Sequence, residues 1–279
     1  MLRRMLDLDA YFDRIAYTGP RTATLETLRA LSDAHVRAIP FENLDAILGR
    51  PIAIEPDAVF AKLVGAKRGG YCFEQNGLFL EILGRLGFAV KPLSARVRLE
   101  RPRGVVPPRT HVLLRVDLGP DGVWLADVGV GSASLTSPIR FGVAGEQPTL
   151  HEPRRIVDEG GLCIHQIAHG SEWTDIYEFT GEEMPFIDRF VGNWFTSAHP
   201  QSHFKNRLTV ALALPDRRRM RILNHDFTIR RADGETTKTP IASPEALLEL
   251  LRVRFGIVGF DTADAERLLA VGASVTSSR

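Results

Sequence analysis

Apolar residues recur at steps of three and four along the first ninety residues, and this spacing predicts helices. One helix follows Thr24, a residue type that caps helix N-termini, and ends at Ile39-Pro40, since proline disfavours a helical residue before it. A short helix is predicted over 55–63. Another is predicted over 71–86, where Gly87 can take the positive φ that ends a helix.

Polar and apolar residues alternate from position 88 onward, and a period of two predicts strands. Strands are predicted over 93–99, 111–118, 123–128, 161–167, 173–179, 208–214, 220–223 and 226–231. Ser243-Pro244 then opens a final helix that ends at Phe255-Gly256. Helices that come before the strands, with one helix at the end, predict an α+β fold rather than a doubly wound parallel sheet.

Length and composition are those of a globular protein. The chain has 279 residues, of which 44% are apolar and 25% are charged, and this excludes a disordered chain or a bundle of membrane helices. The 35 basic and 34 acidic side chains leave a net charge of +1. No overall field therefore favours nucleic acid or an anionic membrane, and neither is expected as a partner.

Cysteine usage and the N-terminal residues predict a cytoplasmic location. Cys72 and Cys163 are the two cysteines, too few for the disulfide framework of a secreted domain, and they form no C-x-x-C metal pair. Asp7 and Asp9 interrupt the apolar residues near the N-terminus, so no export signal is predicted. No zinc-binding motif is evident, and no metal cofactor is expected.

The most unusual segment is RGGYCFEQN at 68–76. Gly69 and Gly70 allow the backbone to approach a ligand closely, and Cys72 follows them at a predicted helix start. The helix dipole and the unpaired N–H groups favour a thiolate there, which suits a nucleophile. The alternative is a buried cysteine that only fills the core, as free cysteines often do.

His111 and Asp127 are the candidate partners of such a nucleophile. His111 opens an apolar strand directly after a proline-rich loop. Asp127 lies among apolar strand residues, where a carboxylate is costly to bury unless it is paired. An imidazolium would provide that partner, and the carboxylate would fix the histidine tautomer, as in nucleophile–base–acid triads.

Strand parity decides whether these two side chains can meet. A hairpin loop with an even number of residues would place positions 111 and 127 on opposite faces of the sheet, whereas an odd loop would place them on the same face. We therefore predict an odd-membered or bulged connection near Gly119 and Gly122, with Asp127 opposite Leu113.

Four segments, in order along the chain, resemble the arylamine N-acetyltransferase family. They are HVRAIPFENLD at 35–45, RGGYCFEQN at 68–76, THVLL at 110–114 and DVGVG at 127–131. The resemblance continues through NWFTSAHPQSHF at 193–204 and the C-terminal LLELLRVRFGI, so that it spans the chain. One departure is Val130, where many bacterial members of the family have phenylalanine.

The resemblance implies an α+β fold in three parts: an N-terminal helical domain over 1–88, a central antiparallel β-barrel over 89–200 and a C-terminal α/β lid over 201–279. It also implies a catalytic triad, arranged as in cysteine proteases, of Cys72, His111 and Asp127. The residues that it implies in binding substrate or coenzyme A are Phe41, Thr110, Val128, Gly129, Val130 and Phe204. Acetyl-coenzyme A is then the co-substrate and a small arylamine or hydrazine the acceptor, while a homodimer remains open.

Such a triad implies ping-pong acetyl transfer through acetyl-Cys72. The expected oxyanion donors are the Cys72 N–H and an N–H around Val128-Gly129. Two alternatives remain open: a thiol hydrolase or transglutaminase-like acyltransferase with the same triad, and a non-catalytic binding module with a buried cysteine. The run Arg217-Arg218-Arg219 is a candidate contact for nucleotide phosphates, although a charged run after a turn is usually solvated.

Overall fold

The structure, a computed structural model, describes residues 6–273. Residues 1–5 and 274–279, which begin the predicted helical domain and end the predicted lid, lie outside the described part. The helices are α1 Leu8–Arg14, α2 Leu25–Ala38, α3 Leu44–Leu48, α4 Pro56–Phe60, α5 Cys72–Arg85, α6 Phe186–Ala198, α7 His203–Asn206, α8 Pro244–Phe255 and α9 Thr262–Ala273. The strands are β1 Phe41–Glu42, β2 Ala89–Val97, β3 His111–Asp117, β4 Val123–Ala126, β5 Ile139–Arg140, β6 Arg154–Glu159, β7 Leu162–His169, β8 Glu172–Phe179, β9 Thr209–Ala213, β10 Arg219–Leu223, β11 Asp226–Arg230 and β12 Thr236–Pro240.

The long N-terminal helices begin and end where the sequence indicates. Thr24 caps α2, because its side-chain oxygen accepts a hydrogen bond from the Thr27 N–H, and the helix ends at Ile39, just before proline. α5 begins at Cys72 and is followed by Gly87, whose φ is +86°. The predictions of these two helices are confirmed.

Two antiparallel sheets carry the strands. The larger has the order β5-β4-β3-β2-β8-β7-β6 and forms a nearly closed barrel. The smaller has the order β1-β9-β10-β11-β12. In it β1, from the helical N-terminal part, pairs with β9, so that this sheet joins distant parts of the chain. The predicted α+β class with a central antiparallel barrel is confirmed.

The hairpin of β3 and β4 positions the two candidate partners of Cys72. Asp117 pairs with Val123, and the five residues 118–122 connect the strands. Because the side-chain period of a strand is two, this odd connection keeps His111 and Asp127 on one face of the sheet. The predicted odd-membered connection is confirmed.

The order of elements differs from the predicted one in three places. β1 lies among the N-terminal helices, α6 and α7 interrupt the strands, and α9 follows α8. In α6 the apolar residues Ile187, Phe190, Val191 and Trp194 have helical spacing, and they are between 47% and 63% exposed. The prediction of a single helix after the strands is therefore wrong. Within residues 6–273, every helix is too short or too polar to cross a bilayer.

Apolar clusters join the helical part to both sheets. One cluster packs α1, α2 and α5 against β3 and β4, through residues such as Phe79 and Val116. A second packs α3 against α8, α9 and the smaller sheet. A smaller cluster holds Cys72 with Phe41 and Val112. The candidate nucleophile therefore lies where helices, barrel and smaller sheet meet.

Candidate active site

Cys72 lies in the first turn of α5, at the end with unpaired backbone N–H groups. The residue is 3% exposed, and its Sγ is 3.5 Å from the carbonyl oxygen of Thr110. The two preceding glycines serve close packing: a Cβ at Gly69 would lie 2.2 Å from the Pro40 carbonyl oxygen, and one at Gly70 would lie 2.7 Å from a Glu74 carboxylate oxygen. Their backbone approaches other parts of the protein, which corrects the expectation that it approaches a ligand.

A buried ion network holds this helix start. Glu74 accepts a hydrogen bond from the Tyr71 N–H at 3.1 Å and one from Lys62 Nζ at 2.7 Å. Lys62 and Arg68 also pair with Asp45, at 2.8 and 3.1 Å. Burial raises the pKa of Glu74 to about 7, although Lys62 acts in the opposite direction. The network anchors the segment that carries the candidate nucleophile.

His111 and Asp127 form a buried pair beside Cys72. His111 Nε2 is 2.7 Å from Asp127 Oδ2, and the two residues are 1% and 0% exposed. This bond occupies Nε2 and leaves Nδ1 as the ring nitrogen that can exchange a proton with Cys72. Cys72 and His111 line the same cavity. The structure thus brings together the three side chains that the sequence singled out.

Charge and hydrogen bonding set the protonation of the pair. Burial alone would lower the pKa of His111, but the charge and hydrogen bond of Asp127, together with the Cys72 side chain, raise it to about 10. Burial alone would raise the pKa of Asp127, but His111, Asn76 and the Gly129 N–H hold it below its ordinary value. At neutral pH the pair is therefore an imidazolium and a carboxylate.

Asn76 fixes the carboxylate from the same helix that carries Cys72. Its Nδ2 donates to Asp127 Oδ1 at 2.8 Å and to the Val112 carbonyl oxygen at 2.7 Å, and its Oδ1 accepts from the Val128 N–H at 3.0 Å. Sequence reasoning assigned Asn76 no role. The available signal was its place four residues after Cys72, on the same side of the helix.

A cavity of about 660 Å³ opens beside Cys72 and His111. Five of the six residues expected to bind substrate or coenzyme A line it: Phe41, Thr110, Gly129, Val130 and Phe204. The ring centroids of Phe41 and Phe204 are 6.0 Å apart, so one side of the cavity is aromatic. Val128 is the exception.

Val128 lies outside the cavity wall. Its side chain packs into the apolar cluster of the N-terminal helices and is 3% exposed. Its N–H is engaged by Asn76, the Gly129 N–H donates to Asp127 Oδ1, and the Val130 N–H donates to Ser134. The expectation that an N–H of this loop stabilises an oxyanion is therefore contradicted. The Cys72 N–H, in contrast, has no acceptor among residues 6–273.

The side chains that could hold a co-substrate are basic. Arg101, Arg207 and Arg221 line the cavity together with His203. In the described part of the chain, no three histidine, cysteine, aspartate or glutamate side chains are grouped so that they could hold a metal ion. These cations suit an anionic ligand.

Comparison with known proteins finds relatives across most of the chain. Residues 24–261 match the model of a protein family described as N-acetyltransferase. The arylamine N-acetyltransferase of Mycobacterium tuberculosis (strain ATCC 25618 / H37Rv) is 43% identical over 255 residues, which cover 90% of this chain and 89% of that protein.

Solved structures are similar over the same length. That of the arylamine N-acetyltransferase from M. tuberculosis has a TM-score of 0.89 at 41% identity, covering 94% of this chain and 99% of its own. The Mycobacterium marinum arylamine N-acetyltransferase, solved in complex with CoA, also has a TM-score of 0.89, at 39% identity, covering 96% of this chain and 99% of its own.

Proposed function

The chain belongs to the arylamine N-acetyltransferase family, and on this premise we propose that Cys72, His111 and Asp127 carry its acetyl transfer. The enzyme moves an acetyl group from acetyl-coenzyme A to the nitrogen of an arylamine or arylhydrazine. One observation supports these roles above all: the buried His111–Asp127 pair, 2.7 Å apart, stands at a cavity that Cys72 also lines.

The first half-reaction forms acetyl-Cys72. The thiolate attacks the carbonyl carbon of the thioester, the carbon–sulfur bond to coenzyme A breaks, and His111 gives a proton from Nδ1 to the departing sulfur. The Cys72 N–H, which the described residues leave without an acceptor, is the donor for the oxyanion. Since one thioester replaces another, the step is nearly balanced in free energy.

The second half-reaction forms the amide. The nitrogen of an arylamine is uncharged at neutral pH, so that it attacks the acetyl carbon directly. Its proton passes to His111, and Cys72 leaves as the thiolate. Aliphatic amines are mostly protonated at neutral pH and are therefore expected to be poor acceptors.

The residues that line the cavity include apolar aromatic side chains and polar groups, and we assign them to different parts of the substrates. Phe41 and Phe204 offer flat apolar surfaces, and we assign them to the aromatic ring of the acceptor. Val130 also lines the cavity, and we assign it a part in acceptor choice. Thr110 and the glycine backbone at Gly129 are polar groups beside Cys72, and we assign them to the coenzyme A arm.

Mass spectrometry of the intact protein after brief exposure to acetyl-coenzyme A tests the proposal. We expect the mass of one acetyl group on the peptide that holds Cys72, and its loss when an arylamine is added. Cys163→Ala is the control and should be acetylated as fully as the wild type, because Cys163 lies outside the cavity lining. Absence of acetyl-Cys72 would contradict the proposal. Equal loss of the acetyl group with and without arylamine would favour the thiol hydrolase instead.

A further inference from the structure

α6 presents one apolar face to solvent. Within residues 6–273, eleven large apolar side chains are exposed, and five of them lie on this helix. These five, which we call the α6 face, are Phe186, Ile187, Phe190, Val191 and Trp194. At 3.6 residues per turn they form one stripe, opposite the buried Gly192 and Thr196. The other six exposed apolar side chains are spread over separate segments, so the α6 face is the contiguous patch among them.

The opposite side of α6 is fixed against α5, the helix that begins at the candidate nucleophile. A Cβ built on Gly192 would lie 2.6 Å from Cζ of Phe73, so the two helices approach closely there. The side-chain oxygen of Asn193 accepts a hydrogen bond from the Tyr71 hydroxyl, and Phe195 lines the catalytic cavity. The α6 face is therefore the outer surface of an anchored helix.

The area of the α6 face matches one side of a dimer interface. Aromatic side chains bury roughly 150–250 Å² each, and at the observed exposures the five residues leave about 500 Å² of apolar surface in water. A standard interface buries about 800 Å² on each partner, of which about 65% is apolar in homodimers. Each copy of such a dimer therefore supplies about 500 Å² of apolar surface.

The α6 face is also complementary to itself about a two-fold axis. Two copies of α6 can pack antiparallel, with the axis between Phe190 and Val191. In this arrangement Ile187 lies opposite Trp194 of the second copy, and Phe190 lies opposite Val191. Each aromatic ring then packs on an aliphatic side chain, and the contact closes on itself as a dimer rather than continuing as a filament.

The charges of α6 do not suit an anionic membrane. Helices that lie on membranes carry several lysines or arginines along their polar side. In α6 the one basic residue is Arg189, whose guanidinium lies over the Phe186 ring, 5.5 Å from its centroid. Asp188 is exposed at the edge of the face and would repel anionic lipid. An apolar protein surface is the better partner.

We propose that the α6 face is the interface of a symmetric homodimer, in which α6 packs antiparallel against α6 of a second copy of this chain. The inference is independent of the proposed function, because the mass of the protein in solution is measured without substrate. Since Phe195 and Thr196 of the same helix line the catalytic cavity, pairing braces one wall of the cavity in each copy.

Sedimentation velocity over a dilution series of the full chain tests the proposal. Interfaces of this size have dissociation constants from micromolar to picomolar, so we expect the wild type to be dimeric above about 10 μM. Ile187→Glu and Trp194→Lys should each be monomeric at that concentration, because each places unpaired charges in an apolar contact. Position 187 faces position 194 across the axis, so an equimolar mixture of the two variants should recover the dimer through a Glu–Lys pair.

Val253→Glu is the matched control, since Val253 is 57% exposed on α8, away from the face, and this variant should stay dimeric. A wild type that remains monomeric at about 100 μM would overturn the inference. A dimer that persists in both Ile187→Glu and Trp194→Lys would do so as well, and this dilution series of the wild type decides even if a variant fails to fold.

Two further outcomes separate the alternatives. A mixture of Ile187→Glu and Trp194→Lys that stays monomeric would overturn the antiparallel pairing. A monomeric wild type that co-sediments with phosphatidylserine vesicles would assign the α6 face to a membrane instead of a second copy.

Discussion

The backbone at Gly129 lies directly against Cys72. A Cβ built on Gly129 would be 2.9 Å from Cys72 Cα and 2.7 Å from Asn76 Nδ2. The loop that carries Asp127 and the helix that carries Cys72 therefore touch through backbone, with no space for a side chain between them. This contact sets the distance between the nucleophile and the carboxylate that orients its base.

Gly129→Ala should therefore separate the two elements. We expect kcat/KM for arylamine acetylation to fall about a hundredfold, because a displacement near 1 Å at reacting groups is costly. Gly77→Ala is the matched control on α5: no atom lies within 4 Å of its built Cβ. It should keep full activity and stabilise the helix by about 0.5–1 kcal/mol, measured by denaturant unfolding. Equal activity in the two variants would refute this role for Gly129.

Asn76→Ala should disorder the carboxylate. It leaves Asp127 Oδ1 short of one donor and leaves the Val112 carbonyl and Val128 N–H without partners. We expect a loss of about 1–3 kcal/mol in unfolding free energy and a ten- to hundredfold lower kcat.

Gln75→Ala is its control, since Gln75 is an equally buried amide on the same helix that bonds to His35 and Pro40 rather than to the triad. Gln75→Ala should lower the free energy of unfolding but leave the pH dependence of Cys72 alkylation unchanged. Asn76→Ala should shift that pH dependence. Identical pH profiles of Cys72 alkylation in both variants would show that Asn76 has only a structural role.

Asp127→Asn should remove the charge that keeps His111 protonated. Burial then dominates, and the pKa of His111 should fall from about 10 to below its ordinary 6.5. NMR titration of labelled histidine measures this shift directly, and kcat/KM should drop by several powers of ten. A His111 pKa that stays near 10 in this variant would show that another group holds the proton.

The same pair makes stability depend on pH. The pKa of Asp127 is lowered from 3.8 and that of His111 is raised from 6.5. The pair therefore makes its full contribution to the free energy of unfolding between pH 3.8 and pH 6.5. This contribution is lost as the pH rises through about 10, and also as the pH falls below 3.8. The difference in unfolding free energy between wild type and Asp127→Asn should therefore shrink at both extremes.

Glu152→Gln should destabilise the protein strongly, because it leaves the buried Arg154 and Arg219 and the partly buried Arg230 without a counter-charge. We expect a loss of about 3–5 kcal/mol in urea unfolding. Burial alone would raise the pKa of Glu152, but Arg219 and its neighbours hold it at about 2.

The carboxylate therefore stabilises the fold fully above pH 4.5, and this contribution is lost as the pH falls toward 2. Below that range the wild type and Glu152→Gln should converge in stability. Glu178→Gln, which breaks the separate buried ion pair with Arg98, is the comparison variant. A constant difference between wild type and Glu152→Gln across this pH range would contradict the assignment.

Cys72→Ala should abolish acetyl transfer to an arylamine, since no other group in the cavity forms a thioester. The measurement is acetylated arylamine formed per enzyme over many turnovers. Cys163→Ala, which removes the other thiol, should retain wild-type turnover because Cys163 packs against the barrel core cluster, outside the cavity lining. Measurable turnover by Cys72→Ala would show that the thiol takes no part in the mechanism.

Signals that act over a few residues were enough to predict the local features of the site. Apolar spacing and Gly87 predicted the helix over 71–86, which in the structure begins at Cys72, because these signals act over a few turns. Strand parity made an odd connection the condition for His111 and Asp127 to share a face, and the five-residue connection of the structure meets that condition.

The surroundings of Cys72, His111 and Asp127 depend on how distant elements pack together in the tertiary structure. It turned Val128 away from the cavity, and it used the N–H groups of its loop to hold Asn76 and Asp127. It also gathered Arg207 and Arg221 at one end of the cavity, although they lie far along the chain from Cys72. Which groups are paired and which stay free depends on elements distant in sequence packing together, and a local pattern carries no information about its eventual neighbours.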